Sequence, residues 1–391
     1  MKAIDRIKDY HADLTARRRD LHAHPELGFE EHRTSDIVAK QLESLGIEVH
    51  RGIGGTGVVG VLREGNGPVS IGLRADMDAL PILEANEVPY KSTKPGVMHA
   101  CGHDGHTTML LGAARYLAET RNFNGTVNFI FQPAEEGLGG AQAMLKDELF
   151  QRFPCDSVFG MHNHPGLPVG TFAIRPGTMM AAGAFFDIHV EGRGSHGARP
   201  EQSIDSVLVA SHIVTALQAI VARNVSPLDT TVVSATAIKG GDAYNVIPQT
   251  AEIKGTARTF KNETMILVEE NMKRTAAGIA AAFGASASVN FRKLFAPLVN
   301  DAAETALFAD VAAELVGDRN VDRERSLIMA SEDFSFMLEA RPGAYINIGN
   351  GDTVGSCPVH NPNYNFNDEI LPIGAAALAG IVEKKLPRFT G

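Results

Sequence analysis

The alternation of apolar and polar residues predicts that the first part of the chain is an α/β domain. From residue 1 to about 182, the β-rich apolar runs TGVVGVL, VSIGLRADM, TVNFIFQ and SVFGMHN alternate with helical segments. That order is typical of a mostly parallel sheet covered by helices. The segment FEEHRTSDIVAKQLESLG predicts a helix closed by Gly46, because glycine tolerates the left-handed conformation that ends helices. A second helix is predicted over HTTMLLGAARYLAE.

The order of elements changes between residues 183 and 293. A strand, a helix, two strands, a helix and a strand follow one another there: AFFDIHVEG, SIDSVLVASHIVTALQAIVAR, TTVVSATAIKG, TAEIKGTARTF, ETMILVEENMKRTAAGIAAAFG and SASVNFRKL. This βαββαβ order is the ferredoxin-like split motif. We therefore predict an α/β protein of two domains. Residues 1–182 plus 294–391 form a mixed-sheet αβα domain, and residues 183–293 form a small domain inserted into it.

Composition and charge exclude several classes of partner. With 44% hydrophobic and 21% charged residues, the chain has an ordinary globular composition. Its 36 basic and 46 acidic residues give a formal charge of −10, which repels phosphate backbones, so we expect no nucleic-acid partner. The N-terminus lacks the apolar core of a signal peptide, and no stretch approaches the roughly 18 unbroken apolar residues of a membrane span. We expect a cytoplasmic protein without a membrane partner.

Two smaller features are interpreted as structural. Cys101, Cys155 and Cys357 are too few and odd in number for a disulfide framework, so each is a packed thiol or a ligand. The arginine triplet at residues 17–19 is interpreted as a solvated helix face.

Polar side chains cluster where predicted strands end. Asp76 and Asp78 follow VSIGLR, Glu135 and Glu136 follow TVNFIFQP, and His162 follows SVFGM. The carboxyl edge of the strands is where open α/β sheets place ligands. The positions of these residues therefore predict a ligand site at that edge.

The segment VMHACGHDGH, residues 97–106, is a second candidate for chemistry. Cys101 and His103 are two positions apart in a predicted loop or extended segment, where alternate side chains point the same way. Thiolate and imidazole are ligands that zinc and similar divalent metals prefer. The alternatives are a buried thiol that only packs and a helix start at which Asp104 accepts backbone N–H groups.

The adjacent carboxylates of Glu135 and Glu136 can serve different purposes, because neighbouring side chains diverge at a strand end. One can bind a metal while the other moves a proton. The alternative is a charged pair stabilised by the dipole at a helix N-terminus.

Two distant histidines complete the candidate set. His162 is preferred over His164, which lies against Pro165 where the chain is predicted to turn. His360 lies in a loop rich in Asn and Pro, where a lone histidine is usually a surface residue. Together, one thiolate, three imidazoles and a carboxylate exceed what one tetrahedral ion with an open position needs. This excess indicates two metals that share a bridging ligand.

Eight segments resemble a known family in order and spacing: HPELGFEE, LRADMDALP, MHACGHDGH, QPAEEGLGGA, GRGSHGARP, NVIP, ASEDF and HNPNYNFND. The family is the hippurate hydrolase and auxin-conjugate hydrolase branch of the aminoacylase and carboxypeptidase G metallopeptidases. The resemblance runs from about residue 15 to the C-terminus, and it implies a two-metal amidohydrolase that cleaves N-acyl amino acids. The metal ligands that it implies are Cys101, His103, Glu136, His162 and His360.

The resemblance also implies roles outside the metal ligands. Glu135 is the implied general base, and the βαββαβ segment is the implied lid and dimerisation domain of a homodimer or a dimer of dimers. His196 of GRGSHGARP would reach a substrate carbonyl, often in the partner subunit's site. Arg258 and Asn245 resemble lid residues that hold the substrate's carboxylate and its carbonyl oxygen.

The sequence departs from the wider family at two positions. It has Asp76-Met77-Asp78 in place of His-x-Asp, and it has Cys101 in place of a bridging carboxylate. The thiolate favours zinc, whereas the resemblance admits manganese, cobalt or nickel. Asp76 and Asp78 are then expected to hold a ligand or water by hydrogen bonds. Asp104 and His106 are assigned to helix capping and to support of the ligands.

Two alternative functions remain open from the sequence. A dipeptidase or carboxypeptidase would use the same site and differ in the acyl side of its substrate. A non-catalytic, metal-stabilised binding protein on the same fold would be expected to lack the proton-transfer carboxylate. Since Glu135 is present, catalysis is favoured.

Overall fold

The structure, a computed structural model, describes residues 3–352 and 357–388. The chain divides into two compact units. The first contains the residues up to Met179, Val299–Ser326 and the residues from Asp333 onward, and the second contains Met180–Leu298 and Leu327–Glu332. The second unit therefore interrupts the first in sequence, and each is described by itself.

Helices and strands alternate through most of the described chain. The helices are α1 (Ala3–Lys8), α2 (His11–Ala23), α3 (His32–Ser44), α4 (His103–Thr120), α5 (Gly140–Lys146), α6 (Leu149–Arg152), α7 (Ser206–Ala219), α8 (Asn262–Ala282), α9 (Ala302–Val316), α10 (Phe334–Ala340) and α11 (Leu371–Lys385). The strands are β1 (Glu48–Ile53), β2 (Gly57–Glu64), β3 (Ser70–Asp76), β4 (Gly125–Gln132), β5 (Ser157–Pro165), β6 (Phe172–Ala173), β7 (Gly177–Met180), β8 (Ala182–Glu191), β9 (Ser195–His196), β10 (Thr231–Gly240), β11 (Val246–Ile247), β12 (Thr250–Thr259), β13 (Ser286–Phe295), β14 (Leu298–Asn300), β15 (Val321–Asp322) and β16 (Gly343–Gly351).

The first unit is built on an eight-stranded mixed sheet in the order β1-β2-β4-β3-β5-β16-β6-β15. The central strands β4, β3, β5 and β16 pair in parallel, whereas β1, β2 and β6 pair antiparallel with their neighbours towards the centre. This architecture confirms the predicted α/β class with a mixed sheet. The edge strand β15 pairs in parallel with β6, but the continuous parallel run lies at the centre, where the carboxyl ends of β3, β4 and β5 meet at one edge.

The core of the first unit lies around α4, which packs on the sheet and against α11 and α2. Almost every residue of α4 from His103 to Leu117 is buried, because the helix lies between strands on one side and α2 and α11 on the other. As expected from the sequence, α3 is followed by Gly46 in the left-handed region, with a φ of 70°. Helix α4 begins at His103, which contacts Asp78 just beyond the end of β3. The helix thus starts at the carboxyl edge of the sheet.

The second unit contains a four-stranded antiparallel sheet in the order β10-β12-β8-β13. Burial alternates along β8, as expected for a sheet with one covered face. Apart from the short strands β9 and β11, the elements follow one another as β8, α7, β10, β12, α8 and β13, which is the predicted βαββαβ order. The role of this unit as a lid and dimerisation domain stays a prediction.

One helical stretch of the second unit, residues 206–224, is apolar and long enough to cross a membrane by length and composition alone. Val209, Ile213 and Leu217 of this stretch are buried in the core of the second unit. Packing of this kind gives the core helix of a globular domain the same composition. The expected absence of a membrane partner stays a prediction.

Candidate metal centre

The structure gathers the predicted ligand residues at the carboxyl edge of the parallel strands. The donor atoms of Cys101, His103 and His162 lie within 4.8 Å of one another. The donor atoms of Cys101, Glu136 and His360 form a second group within the same distance. Cys101 is the residue that the two groups share.

The segment from Cys101 to His103 reaches the site by a loop, which is one of the two conformations predicted from the sequence, and the loop leads directly into a helix. Helix α4 begins at His103, and Gly102 before it is left-handed with a φ of 96°. A Cβ on residue 102 would lie 2.2 Å from Asn163 Nδ2 and 2.6 Å from the Tyr364 hydroxyl. Glycine is therefore required there, both for its conformation and for the lack of space.

Asp78 orients His103 towards the centre. The Nδ1 of His103 lies 3.1 Å from Asp78 Oδ1, and the other oxygen of Asp78 accepts the backbone N–H of Glu136 at 2.9 Å. The Nε2 of His103 is buried and has no hydrogen-bond partner among the described residues. Although burial alone would lower it, the carboxylates of Asp76 and Asp78 raise the pKa of His103 to about 10. The surroundings therefore favour a positive charge at this nitrogen, which a metal cation can supply in place of the proton.

His162 presents a lone pair to the same centre. Its Nδ1 donates to the Asn163 carbonyl at 2.6 Å, and its Nε2 lies 3.3 Å from Cys101 Sγ. Burial, with His106 nearby, holds the pKa of His162 well below its usual range, so the imidazole is neutral. A neutral imidazole is the form that binds metals.

Cys101 and Glu136 are the negative members of the set. Burial, together with the carboxylates of Glu136 and Glu135, raises the pKa of Cys101 well above its usual range. The thiolate form of Cys101 is therefore stable only with a cation close by. The Oε1 of Glu136 is buried, and it lies 3.2 Å from His360 Nε2. A thiol and a carboxylate gathered with imidazoles in this way fit divalent ions better than a packed thiol or a capped helix.

His360 reaches the centre from a loop, as its sequence context predicts. Its backbone is left-handed, with a φ of 65°, and its N–H donates to the Ala100 carbonyl at 2.7 Å. This bond fixes His360 beside Cys101, which follows Ala100 in the chain.

His106 is not available as a ligand, because both of its ring nitrogens are engaged. Nδ1 donates to Asp76 Oδ1 at 2.6 Å, and Nε2 accepts the backbone N–H of Asn163 at 3.0 Å. The second oxygen of Asp76 accepts from Arg74 Nη1 at 2.7 Å. His106 and Asp76 therefore tie the ends of β3 and β5 to α4 beneath the ligands.

Asp104 does not cap the helix, contrary to the expectation from the sequence. The N-cap of α4 is Gly102, which makes no side-chain capping bond, and Asp104 is buried in the first turn. Its carboxylate accepts from His22 Nδ1 at 2.9 Å, and His22 Nε2 lies 3.2 Å from Glu84 Oε1. Despite burial, these two carboxylates raise the pKa of His22 to about 9. The imidazole of His22 is thus positively charged, and it contacts Asp104, the residue that follows the proposed ligand His103.

The prediction that the arginine triplet lies on a solvated helix face was wrong for Arg18. It is completely buried, donates to Asp368 at 2.6 Å and lies 3.6 Å from Asp104. Sequence reasoning missed this cluster. A signal was present, since Leu14, Arg18 and Leu21 recur at helical spacing on one face of α2.

Glu135 lies in the turn after β4, and it is buried. Its Oε1 accepts the backbone N–H of Asp333 at 3.4 Å. The preceding Ala134 has a φ of 52°, and its N–H donates to Glu31 Oε1 at 2.8 Å. Burial raises the pKa of Glu31 to about 7. Glu31 and Asp333, which sequence reasoning also missed, thus hold the turn that carries Glu135.

The three remaining predicted residues lie in the second unit. His196 and Asn245 meet at the short ladder of β9 and β11, where Asn245 accepts the Gly197 N–H at 2.7 Å. His196 is exposed, and its Nδ1 accepts the Ala198 N–H at 3.0 Å. Arg258 lies apart on β12, with its Nη1 buried and without a hydrogen-bond partner among the described residues.

Sulfur, nitrogen and oxygen donors at the carboxyl edge of a parallel sheet define a metal-binding α/β protein. The chain belongs to peptidase family M20/M25/M40, whose sequence model matches residues 72–384. This membership confirms the family predicted from the eight motifs.

Individual relatives are similar to this chain over nearly its whole length. The chain is 46% identical to a hippurate hydrolase of Campylobacter jejuni, over 99% of this chain and 100% of that protein. It is 40% identical to an N-acetylcysteine deacetylase of Bacillus subtilis, over 96% and 98% of the two chains. The crystal structure of a Bacillus subtilis protein, described as a dinuclear metal binding peptidase from the M20 family, is 35% identical. It superimposes with a TM-score of 0.84 over 97% of this chain and 99% of that one.

Proposed function

We propose that this protein is a metal-dependent amidohydrolase that cleaves N-acyl amino acids to a carboxylic acid and a free amino acid. The observation that carries the proposal is the pair of donor groups that share Cys101, with the buried Glu135 beside them. The names of its relatives, a hippurate hydrolase and an N-acetylcysteine deacetylase, support the choice of substrate class.

Two divalent ions would be held by Cys101, His103, Glu136, His162 and His360. The thiolate favours zinc, and manganese, cobalt and nickel are the other candidates. When bound, such ions lower the pKa of a water molecule and polarise an amide carbonyl.

Glu135 is the proposed general base. Its carboxylate takes a proton from the attacking water and then delivers it to the nitrogen of the leaving amino acid, acting first as base and then as acid. The hydrogen bonds from Asp333 to Glu135 and from Ala134 to Glu31 hold the carboxylate in place for both transfers. Its burial excludes bulk water, which would compete for the proton.

The second unit is the proposed source of substrate contacts and of assembly. His196 donates to the carbonyl oxygen as negative charge grows on it, and one such donor contributes about 3 to 4 kcal/mol. Arg258 and Asn245 hold the carboxylate and the carbonyl oxygen of the substrate. We propose a cytoplasmic homodimer, or a dimer of dimers, in which this unit forms the contact and His196 serves the partner subunit's site.

Glu135→Gln tests the base. The variant keeps the shape of the side chain and leaves all five proposed ligands in place, so we expect normal metal content, a normal fold and a nearly complete loss of turnover. Glu87→Gln, at an exposed carboxylate paired with Lys91, is the matched control and should keep full activity. A wild-type rate in Glu135→Gln would remove Glu135 from the mechanism.

A hydrolysis panel tests the substrate class. Protein reconstituted with each of the four metals is given N-acyl amino acids and dipeptides, and release of the amino acid is measured. Preference for N-acyl amino acids supports the proposal, whereas preference for dipeptides indicates a dipeptidase. Absence of any turnover in metal-loaded protein indicates a binding protein.

A further inference from the structure

A cationic group follows His162 along the same strand. Strand β5 continues through Pro165, so the expected turn at His164 was wrong, and alternate residues place His164 on the same face as His162. The Nε2 of His164 accepts from Arg325 Nη2 at 2.8 Å. The Nε of Arg325 donates to Asn347 Oδ1 at 3.3 Å, and Asn347 is the neighbour of His162 on β16. The guanidinium of Arg325 therefore lies on the face of the sheet from which His162 projects.

The side-chain hydrogen-bond partners of Arg325 are neutral, whereas those of the nearby Arg323 are carboxylates. It is half-buried, and among residues 3–352 and 357–388 it forms no ion pair within 4.0 Å. Since a guanidinium can only donate, the Nε2 of His164 accepts from it as the unprotonated nitrogen of the ring. By contrast, the nearby Arg323 pairs with Asp310 and Asp318.

A half-buried guanidinium whose hydrogen-bond partners are neutral favours a bound anion. Burial lowers the pKa of Arg325, although the charge of Asp322, which forms no ion pair with it within 4.0 Å, acts in the opposite direction, and a guanidinium keeps its charge at neutral pH. Removal of that charge from water without a counter-ion is unfavourable. The planar group matches a carboxylate, which can accept two parallel hydrogen bonds from it.

The spacing along β5 matches an N-acyl amino acid. His162 and His164 are one side-chain repeat apart, about 6.6 Å along a strand. In the substrate, the carboxylate carbon lies three bonds from the scissile carbonyl carbon, a span of roughly 4 Å including the C–N, N–Cα and Cα–C bonds. A carbonyl at the metal centre thus places the carboxylate within reach of a long side chain fixed at His164.

We propose that Arg325, oriented by His164 and Asn347, binds the α-carboxylate of the amino-acid part of the substrate. This inference rests on the proposed function and extends it, because it adds a guanidinium of the first unit to the substrate contacts assigned to the second. It makes Arg325 a specificity-determining residue for substrates with a free carboxylate.

Binding to an inactive enzyme tests the proposal directly. In metal-loaded Glu135→Gln protein, the Kd values of N-benzoylglycine and of its amide, N-benzoylglycinamide, are measured by calorimetry. We expect Arg325→Met to raise the Kd of N-benzoylglycine about tenfold or more, the loss expected for a hydrogen bond between charged groups, and to leave that of the amide unchanged. Arg325→Lys should restore part of the difference. Arg323→Met, the matched control, should change neither Kd.

Two outcomes overturn the assignment. An equal rise for both ligands in Arg325→Met would show that Arg325 only supports the structure, and an unchanged Kd for N-benzoylglycine would show that it does not contact the carboxylate. Hydrolysis of N-acyl amino acids by wild-type enzyme is measured in parallel. Absence of this hydrolysis would contradict the proposed function. The two Kd outcomes above would contradict only the role of Arg325.

Discussion

Asp78→Asn is the substitution that most directly probes how the centre is organised. One carboxylate oxygen of Asp78 faces His103 Nδ1 at 3.1 Å, and the other accepts the Glu136 N–H at 2.9 Å. An amide has a single acceptor oxygen, and its NH₂ group cannot accept either proton. The variant therefore keeps one of the two hydrogen bonds and loses the charge that supports both.

The size of the effect follows from the bond that is lost. A hydrogen bond to a charged group contributes about 1.5 to 3 kcal/mol, which corresponds to roughly ten- to 150-fold in an equilibrium constant. Removal of a partner that orients a metal ligand typically weakens metal binding by about ten- to 100-fold. We therefore expect the metal Kd of Asp78→Asn to rise by at least about tenfold.

The assay is competition for the metal between the protein and a chelator of known affinity. Thermal unfolding of the metal-free variant establishes that it folds. Asp147→Asn is the matched control, because Asp147 also accepts a backbone N–H, that of Gly54, but outside the two donor groups. A wild-type metal affinity in Asp78→Asn, or an equal loss in Asp147→Asn, would refute the reasoning.

Three further substitutions have defined outcomes. Cys101→Asp replaces the thiolate by a carboxylate, so metal content measured by elemental analysis should shift from zinc towards manganese; an unchanged preference would contradict a ligand role for Cys101. For His22, the pKa raised from 6.5 to about 9 means that its contribution to stability is complete below pH 6.5 and is lost as the pH rises through 9. The difference in urea midpoint between wild type and His22→Gln should therefore narrow over that range, and a constant difference would argue against a charged imidazolium. Gly102→Ala places a methyl group 2.2 Å from Asn163 Nδ2 at a φ of 96°, so we expect a stability loss of about 2 kcal/mol or more and reduced metal content; wild-type values for both would show that the turn is tolerant.

The positions of most proposed ligands, and of the acidic residues beside them, were predictable because they follow predicted strands. Asp76 and Asp78, Glu135 and Glu136, and His162 each follow an apolar run that forms a strand, and parallel strands bring their carboxyl ends together. His360 was predictable only in combination with the others, since nothing local distinguishes it from a surface histidine. The α/β class and the βαββαβ order followed in the same way from the periodicity of apolar residues.

The contacts of Asp104 with His22 and of Ala134 with Glu31 were not predictable, because they join residues that are distant in sequence. His22 meets Asp104 across 82 positions, and Glu31 meets Ala134 across 103 positions. The sequence around Asp104 is equally compatible with a helix cap, and only the tertiary partner decides between the two. His164 was set aside for a similar reason, because a proline after it suggested a turn where β5 in fact continues.

Hydrolysis of N-benzoylglycine before and after chelation tests the central claim most directly. Release of glycine and benzoate in equal amounts is measured with metal-loaded protein, with chelated protein, and after divalent metal is returned. We predict turnover in the first sample, its loss in the second and its recovery in the third. A full rate in the chelated sample, or no release of glycine with any of the four metals, would contradict the account.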